Sequence, residues 1–219
     1  MIGLRPISKV VLSVGIIALA SALVLLFRPW ESSVWMEFNY VKKNALEIAE
    51  AIELNKGVRV KRSALVNKTL VTIEVLLPNE EPLRVDVEYS KITLKVPISG
   101  SGVLRGKDVA FDFEKVVTVY HEGKSIVVDP KPVANYTLKR EYDRDVHVIT
   151  LILFKIPYDT IVEGSTIYPS KLDRHAYVRT YSYPGTSKVY INGVEAFSFA
   201  VNSGDVLELV VVVCIWDKK

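Results

Sequence analysis

Hydrophobic and polar positions follow three successive patterns along the chain. From Val10 to Phe27 (VVLSVGIIALASALVLLF) every face of a helix would be apolar, with no charge and no Pro. As a helix this run is about 27 Å long, close to the hydrocarbon thickness of a bilayer. It lacks the polar stripe carried by helices that pack on soluble cores. The pattern predicts a transmembrane helix. From Glu37 to Leu54 the spacing stays helical but acquires two faces. Phe38, Val41, Ala45, Ile48, Ala49 and Ile52 share one side, and Lys42, Lys43, Glu47, Glu50 and Glu53 fall mostly elsewhere. Ser32 or Ser33 can cap its start and Asn55-Lys56-Gly57 ends it. Pro29, between the two runs, predicts a break or kink that makes them separate helices.

Beyond Gly57 a period of two replaces the helical one. Val58 to Lys61, Leu70 to Leu77, Leu83 to Tyr89, Ile92 to Val96, Val109 to Tyr120, Ser125 to Val128, Tyr136 to Tyr142, Val146 to Ile156, Lys188 to Val201 and Val206 to Trp216 read as strands. Turns are expected at Pro78–Pro82, Ser99–Gly102, Glu122-Gly123-Lys124, Asp143-Arg144-Asp145 and Asn192-Gly193. Many short strands with Gly, Pro and Asn at the breaks predict a mainly β fold, an antiparallel sandwich or barrel, of which the antiparallel β-sandwich is the reading adopted. The last strand alternates at first and then becomes apolar on both faces. Such a strand must be central in a domain or covered by a partner. The chain divides into residues 1–28, a basic segment and transmembrane or pilin-type helix; 29–56, an interfacial linker and amphipathic helix; and 57–219, a β-rich extracytoplasmic domain, either with a sub-break near 157–169 or as one domain plus additions.

The flanks of the apolar run set its orientation. Arg5 and Lys9 precede it, which places the N-terminus in the cytoplasm and the bulk of the chain outside the cell membrane. Arg28 sits at the other end, and Trp30 and Trp35 fall where an indole favours the membrane interface, the alternative being that they pack on the ectodomain. Three fates fit the run. It is a cleaved signal ending at Ala18-Leu19-Ala20, a permanent anchor, or a pilin-type helix that begins in lipid and ends in a filament core. The apolar residues continuing from Leu23 to Phe27 weigh against cleavage.

Composition narrows the function classes. The net charge is +3 and is spread along the chain, without the basic block that tracks a nucleic acid. Cys214 is the single cysteine, so neither an intrachain disulfide nor a Cys-based metal site is available. Its surroundings, VVVVCIW, suit a buried small hydrophobe. The sequence contains no Gln and is rich in Lys, Arg and Glu, a leaning toward hyperthermophiles.

Candidate chemistry is sparse. His121, His147 and His175 stand in no metal-binding spacing, and only a convergence of His147, His175 and a carboxylate would make a hydrolytic site. No Gly-rich phosphate loop and no G-x-S-x-G elbow occur. Glu80-Glu81 and Asp143/Asp145 fall in turns. The expectation is therefore no enzyme, no catalytic or cofactor residues, no bound metal and no small-molecule substrate. Sequons at Asn67-Lys68-Thr69 and Asn135-Tyr136-Thr137 mark possible N-glycosylation.

Arg5-Pro6-Ile7-Ser8-Lys9-Val10-Val11 ahead of an apolar helix resembles the start of archaeal type IV pilin-like surface proteins with class III signal peptides. The Ala45-Leu46-Glu47-Ile48-Ala49-Glu50-Ala51-Ile52 helix and Leu77-Pro78, closing an early strand, are similar to that family as well. The resemblance covers roughly the first hundred residues. It implies a helix that anchors the precursor in the bilayer and then packs against other subunits, with an outward β-rich, often glycosylated domain. The family's peptidase usually cuts after Gly or Ala following a basic residue, and Pro6 occupies that place here. The resemblance therefore implies either a structural or adhesive filament subunit or an uncleaved accessory relative. The alternative is a single-pass anchored β-sandwich binding module that does not polymerise.

Overall fold

A computed structural model describes residues 6–219; within its helix, side chains are described at 17–19, at 22 and from Ser33 onward. Helix α1 (Pro6–Glu53) leads into β1 (Val58–Arg59), β2 (Ala64–Leu76), β3 (Leu83–Arg105), β4 (Thr118–Asp129), β5 (Val133–Arg140), β6 (Asp145–Lys155), β7 (Thr160–Ile161), β8 (Thr166–Thr180), β9 (Gly185–Ile191), β10 (Val194–Val201) and β11 (Val206–Lys218). One sheet has the order β1-β8-β11-β6-β5. The other has the order β10-β9-β2-β3-β4, with β7 on β2.

The mainly β architecture agrees with the sequence pattern, with three differences. First, α1 is one helix and not two, and Pro29 lies inside it. A proline removes one backbone bond, whereas a break would create two new helix ends, each leaving four backbone groups unsatisfied. Second, the expected turns at Ser99–Gly102 and Glu122–Lys124 are strand. Lys95 pairs with Ser125 and Gly100 with Gly123, so β3 advances farther than β4 between them. That bulge takes up Pro97, which lacks a ladder donor. The expected strand start at Val109 is instead irregular chain up to Val117. Third, the sandwich is not purely antiparallel. β11 runs parallel to β6, from Val206↔Val146 to Ile215↔Lys155. The long stretch between them, which visits the other sheet as β9 and β10, supplies the crossover that parallel pairing needs.

Two hydrophobic cores result. In one, Phe38, Val41, Ala45, Ile48, Ala49 and Ile52 of α1 pack on Val66, Ile92, Leu94, Val119, Ile126, Phe154, Ile156 and Trp216. In the other, Val71, Ile73, Val75 and Val85 face Ile149, Leu151, Leu207, Leu209 and Val211 across the sheets. The β2–β3 pair serves both, with one face at one end and the opposite face at the other. Ser90 marks the crossing: its Oγ accepts from the Ile156 N–H at 2.9 Å and lies 3.3 Å from the Ile156 carbonyl. β11 is the central strand of its sheet, and its outward-facing Val206 and Val210 bury themselves with Val146 and Val148.

No helix among the described residues is long and apolar enough to cross a membrane. Within Val10–Phe27 only the side chains of Ile17, Ala18, Leu19 and Ala22 are described, and all are exposed. The remaining side chains of that run lie outside the described residues. The stretch 157–169 gives β7 to one sheet and opens β8 in the other.

Candidate functional site

The foot of α1 is built by complementary placement of apolar and charged residues. Its apolar face enters the core, and its polar residues reach the strands beside it. Asn44 is fully buried; its Oδ1 accepts the Lys61 N–H at 3.0 Å, and its Nδ2 is 3.5 Å from the Arg59 carbonyl. Glu47 pairs with Lys61 at 2.6 Å, Glu37 with Arg62 at 3.0 Å and Glu53 with Arg105 at 2.5 Å. The second Glu53 oxygen accepts the Val117 N–H at 2.8 Å. Every described side chain of α1 before Phe38 is exposed or half-exposed, including Trp35 at 55% and Met36 at 64%. Among the described side chains of α1, burial therefore begins at Phe38, about 48 Å of helix from Pro6.

His121 receives the helix at that point. Its ring centroid lies 5.1 Å from that of Phe38, and its Nε2 is 3.1 Å from the Ile98 carbonyl. Gly100 makes room for it, since a Cβ there would sit 2.6 Å from the imidazole. A cavity of about 360 Å³ opens beside the ring, lined by Lys91, Thr118, Tyr120, Glu122, Asp129 and Lys131 among others. Asp129 is fully buried and pairs with Lys91 at 2.9 Å and Lys131 at 3.1 Å. Burial alone would pull the Lys91 ammonium down, but the Asp129 carboxylate outweighs it and holds Lys91 well above its ordinary value. Burial and the Asp129 charge together push Tyr89 up to about 12. Each ammonium keeps donors beyond the one used on Asp129, so the cavity wall offers both cationic donors and carboxylate acceptors. The sequence reading missed this cluster. Lys91 and Asp129 come from different strands, and no local spacing announces them.

The histidine convergence does not occur. His147 is opposite Leu207 on β11, whereas His175 is opposite Val211. Those positions are about 13 Å apart along the strand. His147 is 3% exposed; its Nδ1 is 2.8 Å from the Tyr136 hydroxyl, and its ring stacks on Phe199 at 4.7 Å. Its Nε2 lies 3.6 Å from Asp205 Oδ2, too far for a hydrogen bond. Burial pushes the Asp205 carboxyl up, but the N–H groups of Asn202 and Asp145 and the His147 ring outweigh it and hold it below its ordinary value. Among the described residues no group of three or more His, Cys, Asp or Glu is placed to hold a metal ion.

The other sequence candidates are dispersed. Cys214 is half-buried, and burial pushes its thiol up, away from the reactive thiolate. Asn67 and Asn135 are both exposed but lie within β2 and β5, and the Asn67 amide donates to the Thr93 hydroxyl at 2.9 Å. Of the interface anchors, Arg5 and the side chains of Lys9, Arg28 and Trp30 lie outside the described residues. Trp35 packs edge-on against Phe38 at 5.8 Å. No protein-family model, no curated protein and no solved structure matches the chain.

Proposed function

We propose that this chain is a non-enzymatic, membrane-anchored surface protein of pilin-like build, a structural or adhesive subunit of an extracellular filament or its accessory component. The observation that carries this reading is the division of α1. From Phe38 onward the helix is part of the domain's core, whereas no described side chain before it is buried by the chain itself. Ile17, Leu19 and Ala22 of the apolar run are among those exposed side chains, and an apolar helix face left uncovered needs another apolar surrounding, either lipid or copies of itself. Arg5, Lys9, Arg28, Trp30 and Trp35 then flank the bilayer, with the N-terminus inside and the sheets outside. Asn67 and Asn135 are exposed on that outer domain and accessible to glycosylation. The ion pairs of Glu37, Glu47 and Glu53 make the foot of the helix a rigid extension of the domain, which suits a part that must transmit load.

The test is N-terminal sequencing of the native protein together with shearing of intact cells. A filament subunit releases polymer into the sheared fraction and has lost its leading residues. Detergent-extracted monomer that retains Met1 removes the filament reading and leaves the anchored binding module. The cavity lined by Lys91, Asp129 and Lys131 favours that second reading, because it gives the outer domain a place to hold a charged partner.

A further inference from the structure

β8 is an open edge. β1 covers only Thr166 and Ile167, and among the described residues no strand pairs with the other side of β8 from Tyr168 to Thr180. Pairing with β11 is regular from Lys171 to Thr180 and is interrupted beside Pro169. Leu172 and Val178 are 66% and 63% exposed on its outward face, opposite Cys214 and Glu208 of β11. An unpaired edge of this length with exposed Leu172 and Val178 is one that native sheets cover or blunt, and its charges Lys171, Asp173, Arg174 and Arg179 restrict which strand can add to it.

The charges on β8 select what can pair with it. Two copies of one strand joined antiparallel about a two-fold axis normal to the sheet must meet at positions of equal parity, because side chains alternate between faces. Centring on Arg174 places arginine against arginine. Centring on His175 places Lys171 against Arg179. Centring on Tyr177 places His175 against Arg179. Centring on Ala176 places Asp173 against the partner's Arg179 and Arg179 against the partner's Asp173. It also sets His175 beside the partner's Tyr177 and Leu172 beside the partner's Thr180. This register uses Leu172 to Thr180, all of it within the regular stretch. Within its own chain Asp173 already pairs with Lys171 at 2.5 Å, and in the same groove Glu88 pairs with Lys155 at 2.9 Å, so the incoming guanidinium joins existing ion pairs through the remaining carboxylate lone pairs. Within each copy Arg174 already lies 3.8 Å from Glu208, so its stem is held over the outward face where the partner's Val178 would pack.

We propose that β8 is an interface with a second copy of this chain, paired antiparallel about Ala176, which joins two five-stranded sheets into one. The inference does not depend on the filament reading, since it concerns the outer domain and not the helix. The test is disulfide trapping of the full-length protein in detergent, in a Cys214→Ala background. Directly opposed residues have Cα atoms about 4.5–5.5 Å apart, within the span of a disulfide. Ala176→Cys therefore cross-links under mild oxidant. Val178→Cys does not, because it faces the partner's Arg174 and its own counterpart is about 13 Å along the strand. Arg179→Asp lowers the Ala176→Cys yield about tenfold, and adding Asp173→Arg restores it. Equal trapping at 176 and 178 would mean association through the helix alone and overturns the proposal, as does absence of trapping at 176. Ala176, Val178 and Arg179 are exposed and Asp173 and Cys214 are half-buried, and unchanged thermal melts confirm the fold of each variant.

Discussion

Val66 and Val71 belong to one strand, yet they are buried in different cores on opposite faces of it. Their partners Ile92 and Val87 on β3 change sides with them. A strand alternates its side chains with period two, so an odd separation must change face. The β2–β3 pair exploits this without a register shift between the two strands. One end holds the helix and the other end closes the sandwich.

This division predicts that the two cores fail separately. Ile92→Ala and Ile73→Ala each remove a fully buried side chain and are expected to cost about 2–5 kcal/mol. They differ in where the damage appears. Ile92→Ala speeds hydrogen exchange of the Ala45–Ile52 amides of α1, whereas Ile73→Ala leaves them protected relative to the rest of the molecule. Equal loss of helix protection in both variants would show one cooperative core.

Gly100 and His121 are expected to behave as a unit. A methyl group at Gly100 meets the imidazole at 2.6 Å and drives it from Phe38 and from the Ile98 carbonyl. Gly100→Ala should cost about 1–3 kcal/mol. In a His121→Ala background the same change should cost under about 0.5 kcal/mol, because the obstacle is gone. Denaturant melts of the four proteins measure the coupling, and additive losses would refute it.

Much of this arrangement was legible in the sequence. Phe38, Val41, Ala45, Ile48, Ala49 and Ile52 were readable as one helical face, and all six are buried. The two-sided apolar run at the C-terminus forms the central strand β11. Asn192-Gly193 makes the predicted hairpin turn, with φ of 51° and 77°. β8 left no such trace. Its residues are exposed on both faces from Arg174 to Thr180, so no alternation distinguished them from loop. Gly, Ser and Pro around residue 100 looked like a reversal because a bulge and a turn draw on the same residues. The Lys91–Asp129–Lys131 cluster depends on the pairing of β3 with β4, which local patterning does not encode.

That cluster is expected to matter for stability through its carboxylate. Asp129 has no exposed surface, and the Lys131 side chain is 11% exposed. Asp129→Asn leaves two ammonium groups with a neutral partner, and removing one member of a buried pair costs about 3–5 kcal/mol. Lys91→Met alone should cost less, since Lys131 still neutralises Asp129. Thermal melts at pH 7 that rank the two variants in the opposite order would rule out this account.

Asp205 gives the fold a dependence on acid. Its two oxygens accept the N–H groups of Asn202 at 2.7 Å and Asp145 at 3.1 Å, tying the start of β11 to the start of β6. Burial opposes the charge, but these donors and the His147 ring keep the folded carboxyl below its ordinary value of 3.8. As pH falls, the unfolded chain therefore takes up this proton before the folded one does. The contribution is fully present above about pH 4–5 and is lost as pH drops through the folded pKa. Asp205→Asn, which leaves one donor without an acceptor, should cost about 1–3 kcal/mol at pH 7. The gap between the variant and the parent should narrow steadily below pH 4. Urea melts of both proteins at pH 7, 5, 4 and 3 test the sign. A gap that stays constant or widens toward pH 3 would mean that the carboxylate is not what joins β11 to β6.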